Sequence, residues 1–295
     1  MFDLSVVIPA FNSEAHLARA VRSAFAVGAA EVIVVDDGSV DRTAAIAEDL
    51  GCLVIRQQNA GAAAARLRGL QKVSHSWTML LDADDFVLIE GIAKSFELAR
   101  ASENCSAVLG ATIARSASGN SRAMNPWPEG VDTIKLLNRG YAPGPPGAFL
   151  WRSKSLQKAF NDAPPLLAPR YAEDFEIVVR GSLIGKILTH EVPTCEYAMA
   201  GGKSALSPLK SNLSAEATRR HYAQQIGASI ALRSVAELTS MAYFRTAYSK
   251  VGKRQLPVRI WWTARAVVRD PNFALKLVRR RVGRLLHEAG WKGKS

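Results

Sequence analysis

The chain has 295 residues and a formal net charge of +12, with 48% hydrophobic and 22% charged residues, which excludes a mostly disordered or fibrous protein. Three widely spaced cysteines exclude a disulfide framework and a cysteine-rich zinc site. No stretch of about 18 residues lacks charged side chains, and the first residues lack a basic segment. We therefore predict neither a membrane-spanning helix nor a secretory signal, and we expect a cytoplasmic protein.

Short runs of β-branched residues alternate with helical patterns over the first hundred residues. Apolar runs predict strands, and apolar residues at helical spacing predict helices. The predicted elements are strands at Leu4–Ile8, Val32–Val35, Leu53–Ile55 and Trp77–Leu81, and helices at Glu14–Phe25, Ala44–Leu50 and Ala62–Leu70. Because these strands are continuously apolar, we expect an α/β fold with a mostly parallel sheet covered by helices on both faces.

The remaining sequence is less regular. The patterns predict a strand at Ser106–Ile113, helices at Val131–Asn138 and Tyr171–Leu183, a loop over Tyr141–Gly147, and helices from Leu213 onward with a break near Gly252–Pro257. Residues 1–200 contain 19 Lys and Arg against 22 Asp and Glu, whereas residues 201–295 contain 19 against four. We therefore predict two domains, a catalytic or binding body over residues 1–200 and a helical basic extension over residues 201–295.

Two groups of aspartates directly follow predicted strands. Asp36 and Asp37 follow the second strand, and Asp82, Asp84 and Asp85 follow the fourth. In a parallel sheet, ligands bind beyond the carboxyl ends of the strands. Carboxylates on a short turn suit Mg²⁺ or Mn²⁺ that is shared with substrate phosphates. The alternative for each group is a solvated turn with a helix cap.

A third acidic group consists of Glu173, Asp174 and Glu176, at the beginning of a predicted helix. The helix dipole favours carboxylates in a first turn, so capping explains them, and a general base is the functional alternative. Upstream, Gly61 allows close approach of the backbone to a ligand, and the guanidinium of Arg66 is suited to hold a diphosphate.

The turn after the first strand contains no glycine over residues 9–14. A dinucleotide-binding fold needs a glycine-rich turn at this place, and the chain also lacks a Gly-Lys-Ser/Thr phosphate loop. The sequence therefore excludes both of these phosphate-binding sites, although the acid after the second strand would fit a dehydrogenase.

Several segments, in this order, resemble the family 2 glycosyltransferases of the GT-A fold. They are Val6–Glu14, Val35–Thr43, Asn59–Gly61 with Ala65 and Arg66, Leu81–Asp85, and Glu173 with Asp174. The resemblance covers residues 4–180 and fades after about residue 200. It implies a GT-A body and an enzyme that transfers a sugar from a nucleotide donor with inversion of the anomeric carbon.

The resemblance also implies a role for each matching residue. Asp174 is the expected catalytic base, Asp84 and Asp85 are the expected ligands of Mn²⁺ or Mg²⁺, and Asp37 is expected to bind the base of the nucleotide, usually uracil. The expected donor-binding residues are Pro9, Ala10, Asn12, Glu14, Asp37, Asn59, Gly61, Arg66, Asp82 and Asp84. Two segments depart from the family pattern: Leu67-Arg68 replaces a frequent asparagine, and Pro145–Phe149 carries no diagnostic acceptor-binding residue.

An inverting transfer is a single in-line displacement, which needs one base and stabilisation of the departing diphosphate. A retaining double displacement would need a further nucleophile, for which the sequence offers no candidate. We predict a metal-dependent inverting glycosyltransferase that uses a nucleotide-sugar donor and a glycan or lipid-linked acceptor in cell-envelope polysaccharide synthesis. The alternatives are a non-catalytic nucleotide-sugar-binding or membrane scaffold protein, and a nucleotidyltransferase.

The basic extension has an amphipathic pattern near its end. On a helical wheel, the apolar residues of Phe273–His287 share one arc that its basic residues avoid. Together with Trp261 and Trp262, this pattern predicts a helix on an anionic membrane, with the protein peripheral on the inner face of the cell membrane. The alternatives are a helix packed on the body and, less favoured because no nucleic-acid motif is present, a nucleic-acid partner.

Overall fold

The computed structural model describes residues 2–116, 119–162, 164, 166–167, 171–198, 207–249 and 256–271. Its strands are β1 (Phe2–Ala10), β2 (Ala29–Asp36), β3 (Leu53–Arg56), β4 (Trp77–Leu80), β5 (Phe86–Val87), β6 (Cys105–Arg115), β7 (Ser121–Met124), β8 (Phe149–Arg152) and β9 (Lys186–Ala198). Its helices are α1 (Leu17–Ala26), α2 (Thr43–Asp49), α3 (Ala62–Leu70), α4 (Ile89–Arg100), α5 (Thr133–Arg139), α6 (Ser153–Asn161), α7 (Glu173–Ile184), α8 (Pro208–Gln225), α9 (Val235–Ser249) and α10 (Leu256–Arg269).

The described strands form one sheet in the order β3-β2-β1-β4-β8-β6-β9-β5, and β7 pairs with β6. Strands β1 to β4 are parallel to one another, as the apolar runs predict. Strand β9 is parallel to β6, whereas β5, β7 and β8 add antiparallel pairs. The sheet is therefore mixed, with its parallel half built from the first eighty residues.

Strand β1 lies in the middle of the parallel half and is covered on both faces. Its residues Leu4, Val6, Val7 and Ile8 are fully buried. Helix α3 packs directly on this strand, because a β-carbon at Gly69 would lie only 2.3 Å from Cγ1 of Val7. Because α3 follows β3, which is parallel to β2, the helix starts at the carboxyl edge of the sheet.

The sequence patterns did not predict several of the elements that follow β4, namely β5, β7, β8, β9, α4 and α6. Strand β9 shows the physical reason. Pro193 lies within it, and proline usually argues against a central strand because it lacks an N–H group. Here the register against β6 is interrupted near Ala111, which pairs with Pro193, so the ladder accommodates the proline at an irregularity.

Several predicted helix boundaries are corrected by the structure. Helix α8 begins at Pro208 rather than Leu213, and residues 226–234 interrupt the helical stretch predicted from Leu213 onward. Helix α5 begins at Thr133 rather than Val131, because the side chain of Asp132 caps it by accepting from the N–H of Lys135. Helix α1 begins at Leu17 rather than Glu14, because the Glu14 carboxylate accepts a hydrogen bond from the backbone of Arg42 in the next loop. Helix α7 begins at Glu173 rather than Tyr171, because Ala172 before it adopts a left-handed conformation with φ of 58°.

The described part of the chain divides into two compact units, one from residues 1–200 with 221–230 and one from residues 201–220 with 231–295. In the second unit, the buried side chains of Glu216 and Arg219 form an ion pair, and Arg219 also donates to the carbonyl of Ala231 at 2.8 Å. The domain boundary proposed at residue 200 stays a prediction. None of the helices within the described ranges has the length and apolar composition needed to cross a membrane.

The predicted amphipathic segment Phe273–His287 lies outside the described residues, and so does most of the predicted break at Gly252–Pro257. Helix α10, which precedes the amphipathic segment, is described. Its Trp261 is half-exposed at 50%, and its Trp262 packs against Tyr243 with a ring separation of 5.3 Å.

Candidate active site

The loops that follow β1, β2 and β4 lie at one edge of the sheet because these strands are parallel and in register. Pro9 and Ala10 end β1, where Ala10 pairs with Asp36 at the end of β2. Val7 pairs with Leu80 at the end of β4. The aspartates that follow β2 and β4 therefore lie at the carboxyl edge, where such sheets bind their ligands.

The loop after β1 is joined to the loop after β2 by hydrogen bonds from both sides. The Asn12 side chain accepts from the N–H of Val40 at 3.0 Å, and its own N–H donates to Oγ of Ser39 at 2.9 Å. Oε2 of Glu14 accepts from the N–H of Arg42 at 3.1 Å. Asn12 and Glu14 are exposed and are predicted to line the nucleotide. Their hydrogen bonds hold the two loops together.

Asp37 is buried and is held by the start of helix α3. Its Oδ1 accepts from Nε2 of Gln57 at 2.8 Å and from the N–H of Ala60 at 2.7 Å, while its Oδ2 accepts from the N–H of Gly61 at 2.8 Å. Each carboxylate oxygen can accept two hydrogen bonds, so Oδ2 retains capacity for an N–H donor from a ligand. The assignment of Asp37 to a nucleotide base stays a prediction.

Gly61 is the residue before helix α3 and has φ of 93°, a conformation that L side chains rarely adopt. Apart from its chain neighbours, no described residue has an atom within 4 Å of the place where a β-carbon would stand, so the described structure leaves the space in front of this turn open. Asn59 is exposed beside it. The geometry allows a ligand to approach the backbone at the N-terminal end of α3.

Arg66 connects three elements of the site. Its guanidinium, only 3% exposed, donates from Nη2 to Oδ1 of Asp82 at 2.6 Å and from Nη1 to Oε1 of Glu173 at 3.1 Å. Burial opposes the charge on Arg66, but Asp82 and Glu173 outweigh burial and raise the pKa of the guanidinium further above its usual range. Its Nε is buried and has no hydrogen-bond partner among the residues that the structure describes. Arg66 thus ties α3 to the loop after β4 and to the start of α7.

The aspartates after β4 differ in their surroundings. Asp85 is buried, and its Oδ1 accepts from the N–H of Ala198 at 2.9 Å. Its Oδ2 is also buried and has no hydrogen-bond partner within the described part of the chain. Burial, followed by the charge of Asp82, raises the pKa of Asp85 to about 8. Asp84 is exposed, and the pKa of its carboxyl is raised by partial desolvation and then by Asp82. This loop therefore concentrates more negative charge than Arg66 alone neutralises.

The left-handed conformation of Ala172 turns the chain into α7, so that Glu173 and Asp174 open the helix at the acidic loop. Oδ1 of Asp174 accepts from the N–H of Phe175 at 2.8 Å. Burial and then the charge of Glu173 raise the pKa of Asp174 to about 6, although Arg66 and this N–H favour the ionised form. A carboxyl group with such a pKa is suited to act as a base near neutral pH.

Tyr197, which the sequence patterns missed, belongs to the same cluster. It lies half-buried near the end of β9, next to the residue whose N–H binds Asp85. Burial, followed by the charges of Asp85, Asp82 and Asp174, raises the pKa of its phenol to about 12. A single tyrosine in an irregular stretch carries no local signal, and only the pairing of β9 with β5 and β6 reveals its place.

The structure thus brings together the predicted residues Arg66, Asp82, Asp84, Asp85 and Asp174. Within the described ranges, no hydrogen bond or ion pair connects them with Asp37, whose link to the cluster runs through helix α3. Glu176, which the sequence analysis grouped with the two preceding acids, is buried and accepts from the hydroxyl of Tyr222 at 2.6 Å, so it is a structural residue.

The donor set suits a hard divalent cation. Oxygen ligands from carboxylates are what Mg²⁺ and Mn²⁺ prefer, and Mg²⁺ usually binds through one or two carboxylates together with substrate phosphates. Among the described residues, no three His, Cys, Asp or Glu side chains converge on one point. The unpartnered Oδ2 of Asp85, close to the charges of Asp82 and Asp84, fits a cation that a ligand's phosphates help to hold.

Comparison with known sequences identifies the family. A model of the family described as "Glycosyl transferase family 2" matches residues 5–160, which is more than half of the chain. The chain belongs to glycosyl transferase family 2. The family resemblance predicted from the sequence motifs is therefore confirmed.

Curated relatives of this family 2 chain match part of it. The succinoglycan biosynthesis protein ExoU of Rhizobium meliloti (strain 1021) is 46% identical over 92 residues, which cover 28% of this chain and 27% of that protein. The minor teichoic acid biosynthesis protein GgaA of Bacillus subtilis (strain 168) is 30% identical over 148 residues, which cover 45% of this chain and 33% of that protein. Each match thus spans no more than about a third of the relative's length.

Solved structures resemble nearly the whole chain. S. aureus TarS 1-349 in complex with UDP-GlcNAc aligns with a TM-score of 0.58 at 17% identity, covering 92% of this chain and 83% of that one. Mannosyltransferase PcManGT from Pyrobaculum calidifontis, in complex with GDP-Man and Mn²⁺, aligns with a TM-score of 0.55 at 15% identity, covering 96% and 80%. At these identities the likeness shows the fold, and the predicted GT-A fold is confirmed.

The role of Arg66 in holding the site together is testable by its removal. We expect Arg66→Leu to lower the free energy of unfolding by about 2–3 kcal/mol, because Asp82 and Glu173 lose the cation that compensates them. This range lies below the cost of breaking a fully buried pair, since both acids are partly exposed. Chemical denaturation followed by circular dichroism measures the change.

The matched control is Arg68→Leu, which removes an exposed arginine from the same helix. It is expected to change the free energy of unfolding by less than about 0.5 kcal/mol. Equal effects of the two substitutions would show that Arg66 is not the cation around which these elements assemble.

Proposed function

We propose that the protein is an inverting glycosyltransferase that transfers a sugar from a UDP-sugar to a hydroxyl group of a glycan or lipid-linked acceptor. The observation that carries this proposal is the position of Asp174 beside the Arg66, Asp82 and Glu173 cluster, at the edge where the sheet binds its ligands. A carboxylate near a diphosphate-binding loop, but on a different element, is the arrangement that a single in-line displacement requires.

The donor side of the proposed reaction uses the loops after β1, β2 and β4. Asp37 is held at the start of α3 with an oxygen that can accept from an N–H group of a base such as uracil. The diphosphate would lie between this helix start and the acidic loop. TarS, a structural neighbour, is described in complex with UDP-GlcNAc, which supports a nucleotide-sugar donor of this kind.

Asp84 and Asp85 are the residues that we propose to hold Mn²⁺ or Mg²⁺. When bound, such a cation neutralises the charge that develops on the departing diphosphate. The chain itself contributes the carboxylates of this loop, whose negative charge attracts a cation. Burial and then the charge of Asp82 raise the pKa of Asp85. The Mn²⁺ described in the PcManGT structure supports this proposal.

Asp174 is proposed to take the proton from the acceptor hydroxyl as that oxygen attacks the anomeric carbon. Glu173 is paired with Arg66 and is therefore less suited to this task. The proposed metal ligands Asp84 and Asp85 lie on the loop after β4, whereas the proposed base Asp174 lies on α7, so the two functions are assigned to different elements. The names of the succinoglycan and teichoic acid relatives support cell-envelope polysaccharide synthesis as the setting.

The base assignment predicts a specific defect in Asp174→Asn. We expect UDP release from a panel of UDP-sugars to fall by about 10²–10⁴-fold, because the amide cannot accept the proton. In the wild-type enzyme, kcat/KM should rise with pH up to about 6 and then level off, since Asp174 works only when ionised. Steady-state kinetics across pH measures both effects.

The affinity of Asp174→Asn for UDP, measured by calorimetry with Mn²⁺ present, should stay within about twofold of wild type. The control is Asp49→Asn, which changes an exposed aspartate of α2. If UDP affinity falls together with activity, the residue binds the donor and is not the base. Release of pyrophosphate instead of UDP would indicate a nucleotidyltransferase, and binding without any release would indicate a non-catalytic protein.

We further propose that the second unit associates with the anionic inner surface of the cell membrane. Helix α10 exposes Ile260, Trp261 and Val268, and the guanidinium of Arg265 lies 4.6 Å from the ring centroid of Trp261. Residues 201–295 contain 19 Lys and Arg against four Asp and Glu. Exposed apolar and aromatic side chains beside an excess of basic residues are typical of helices that lie on anionic lipid.

Flotation with vesicles containing phosphatidylglycerol tests the membrane proposal. We expect the full-length protein to float with these vesicles at low salt, and Trp261→Asp with Val268→Asp to reduce the floating fraction by about fivefold or more because they place charges on the apolar face. The control is Val40→Asp, at a residue that is 92% exposed in the first unit. A full-length protein that does not float with these vesicles would contradict the proposal.

A further inference from the structure

A buried hydrogen-bond network lies behind the helix that carries Asp174. Tyr222, in the part of α8 that belongs to the first unit, is fully buried. Its hydroxyl donates to Oε1 of Glu176 at 2.6 Å and accepts from Nη1 of Arg180 at 2.8 Å. Glu176 and Arg180 lie on consecutive turns of α7, so one phenol oxygen connects two turns of this helix.

The same two α7 residues also hold the chain that leads into the helix. Arg180 donates to the carbonyl oxygens of Asp162 at 2.6 Å and Pro164 at 2.5 Å. Glu176 accepts from the N–H of Leu167 at 2.7 Å through the oxygen that also binds Tyr222. The network therefore ties the segment before α7 to the helix itself.

Asp174 depends on this support more than the other acids do. Glu173 is fixed by its ion pair with Arg66, and Asp85 by the N–H of Ala198. The side chain of Asp174 accepts from the N–H of Phe175, a neighbour on its own helix. Its position relative to the acidic loop is consequently set by the position of α7, which the ion pair of Glu173 with Arg66 holds at the first residue and the Tyr222 network holds one and two turns farther along.

We propose that Tyr222 is a positioning residue for the transfer reaction, because its hydroxyl, by joining Glu176 and Arg180, fixes α7 and thereby the carboxylate of Asp174. The inference rests on the proposed role of Asp174 as the base. A displacement of about 1 Å in a reacting group is sufficient to lower a rate by up to about 10²-fold. A shift of α7 would therefore slow the chemical step, while the donor remains bound by the loops of the parallel strands.

Tyr222→Phe tests the inference, because it retains the ring, which packs edge-on against His221, and removes only the hydroxyl. We expect kcat for UDP release to fall by about 10-fold or more, with the KM for the UDP-sugar and the affinity for UDP within about twofold of wild type. Hydrogen exchange at the amides of residues 173–177 should become faster. The control is Tyr243→Phe, at a tyrosine of the second unit that packs against Trp262.

The alternative is that the network only stabilises the fold. In that case, Tyr222→Phe would lower the melting temperature, but kcat measured well below that temperature would equal that of wild type, and the inference would be overturned. A parallel rise in KM and loss of UDP binding would also overturn it, because the substitution would then have disturbed the donor site.

Glu176→Gln provides a second, milder test, because the amide oxygen still accepts from the Tyr222 hydroxyl but without charge. We expect its kcat to lie between those of wild type and Tyr222→Phe, and a kcat lower than that of Tyr222→Phe would contradict the bridging role, because a weakened bridge would then cost more than a missing one. If wild type and Asp174→Asn release UDP equally fast, the proposed role of Asp174 as the base fails, and the positioning role fails with it. An inactive Asp174→Asn beside a fully active Tyr222→Phe overturns only the positioning role.

Discussion

The structure of the site depends on one buried cation. The guanidinium of Arg66 lies between Asp82, on the loop after β4, and Glu173, at the start of α7, and these acids come from parts of the chain that are 91 residues apart in numbering. A buried charge is costly unless it is paired, so the pairing requires all three elements to be in place at once. The pairing of Arg66 therefore links the packing of these three elements to the assembly of the site.

The number of carboxylates around Arg66 exceeds what a single guanidinium can neutralise. Asp82, Asp84, Asp85, Glu173 and Asp174 share one neighbourhood, because the charge of Asp82 contributes to the raised pKa values of Asp84 and Asp85, and the charge of Glu173 to that of Asp174. Burial and neighbouring charges raise the pKa of Asp85 to about 8 and that of Asp174 to about 6. The negative charge of the loop after β4 favours binding of a divalent cation. Negative charge close to Asp174, together with burial, also raises the pKa of this carboxyl group, so that it can accept a proton near neutral pH.

The sequence predicts the parallel half of the sheet well, because its strands are continuous apolar runs separated by helical patterns. It also predicts Asp82, Asp84, Asp85 and Asp174 as site residues, since each follows a strand or begins a helix within a family motif. Arg66 is predicted because it belongs to the motif that leads into α3. The structure brings these residues together, while their individual roles stay predictions. Prediction fails where an element depends on distant partners, as for β9, whose Pro193 is accommodated only at an irregularity in its pairing with β6.

Tyr197 and Tyr222 show the same limit for side chains. Tyr197 reaches the acidic cluster because β9 pairs with β5 and β6, and Tyr222 reaches α7 across 42 residues of chain from Arg180. No spacing or local composition marks either tyrosine. The Glu176 carboxylate illustrates the reverse case, since its place among acids at a helix start favours a site residue or a dipole partner, whereas the structure buries it in the network with Tyr222.

We propose that the carboxylates around Arg66 hold a divalent cation together with a nucleoside diphosphate. Electron paramagnetic resonance of Mn²⁺, titrated into the wild-type protein with and without UDP, measures whether the two ligands bind together. We expect UDP to tighten Mn²⁺ binding by about tenfold or more, because one or two carboxylates leave coordination positions for phosphate oxygens. Mn²⁺ affinity that is unaffected by UDP, or an absence of bound Mn²⁺ at saturating UDP, would contradict it.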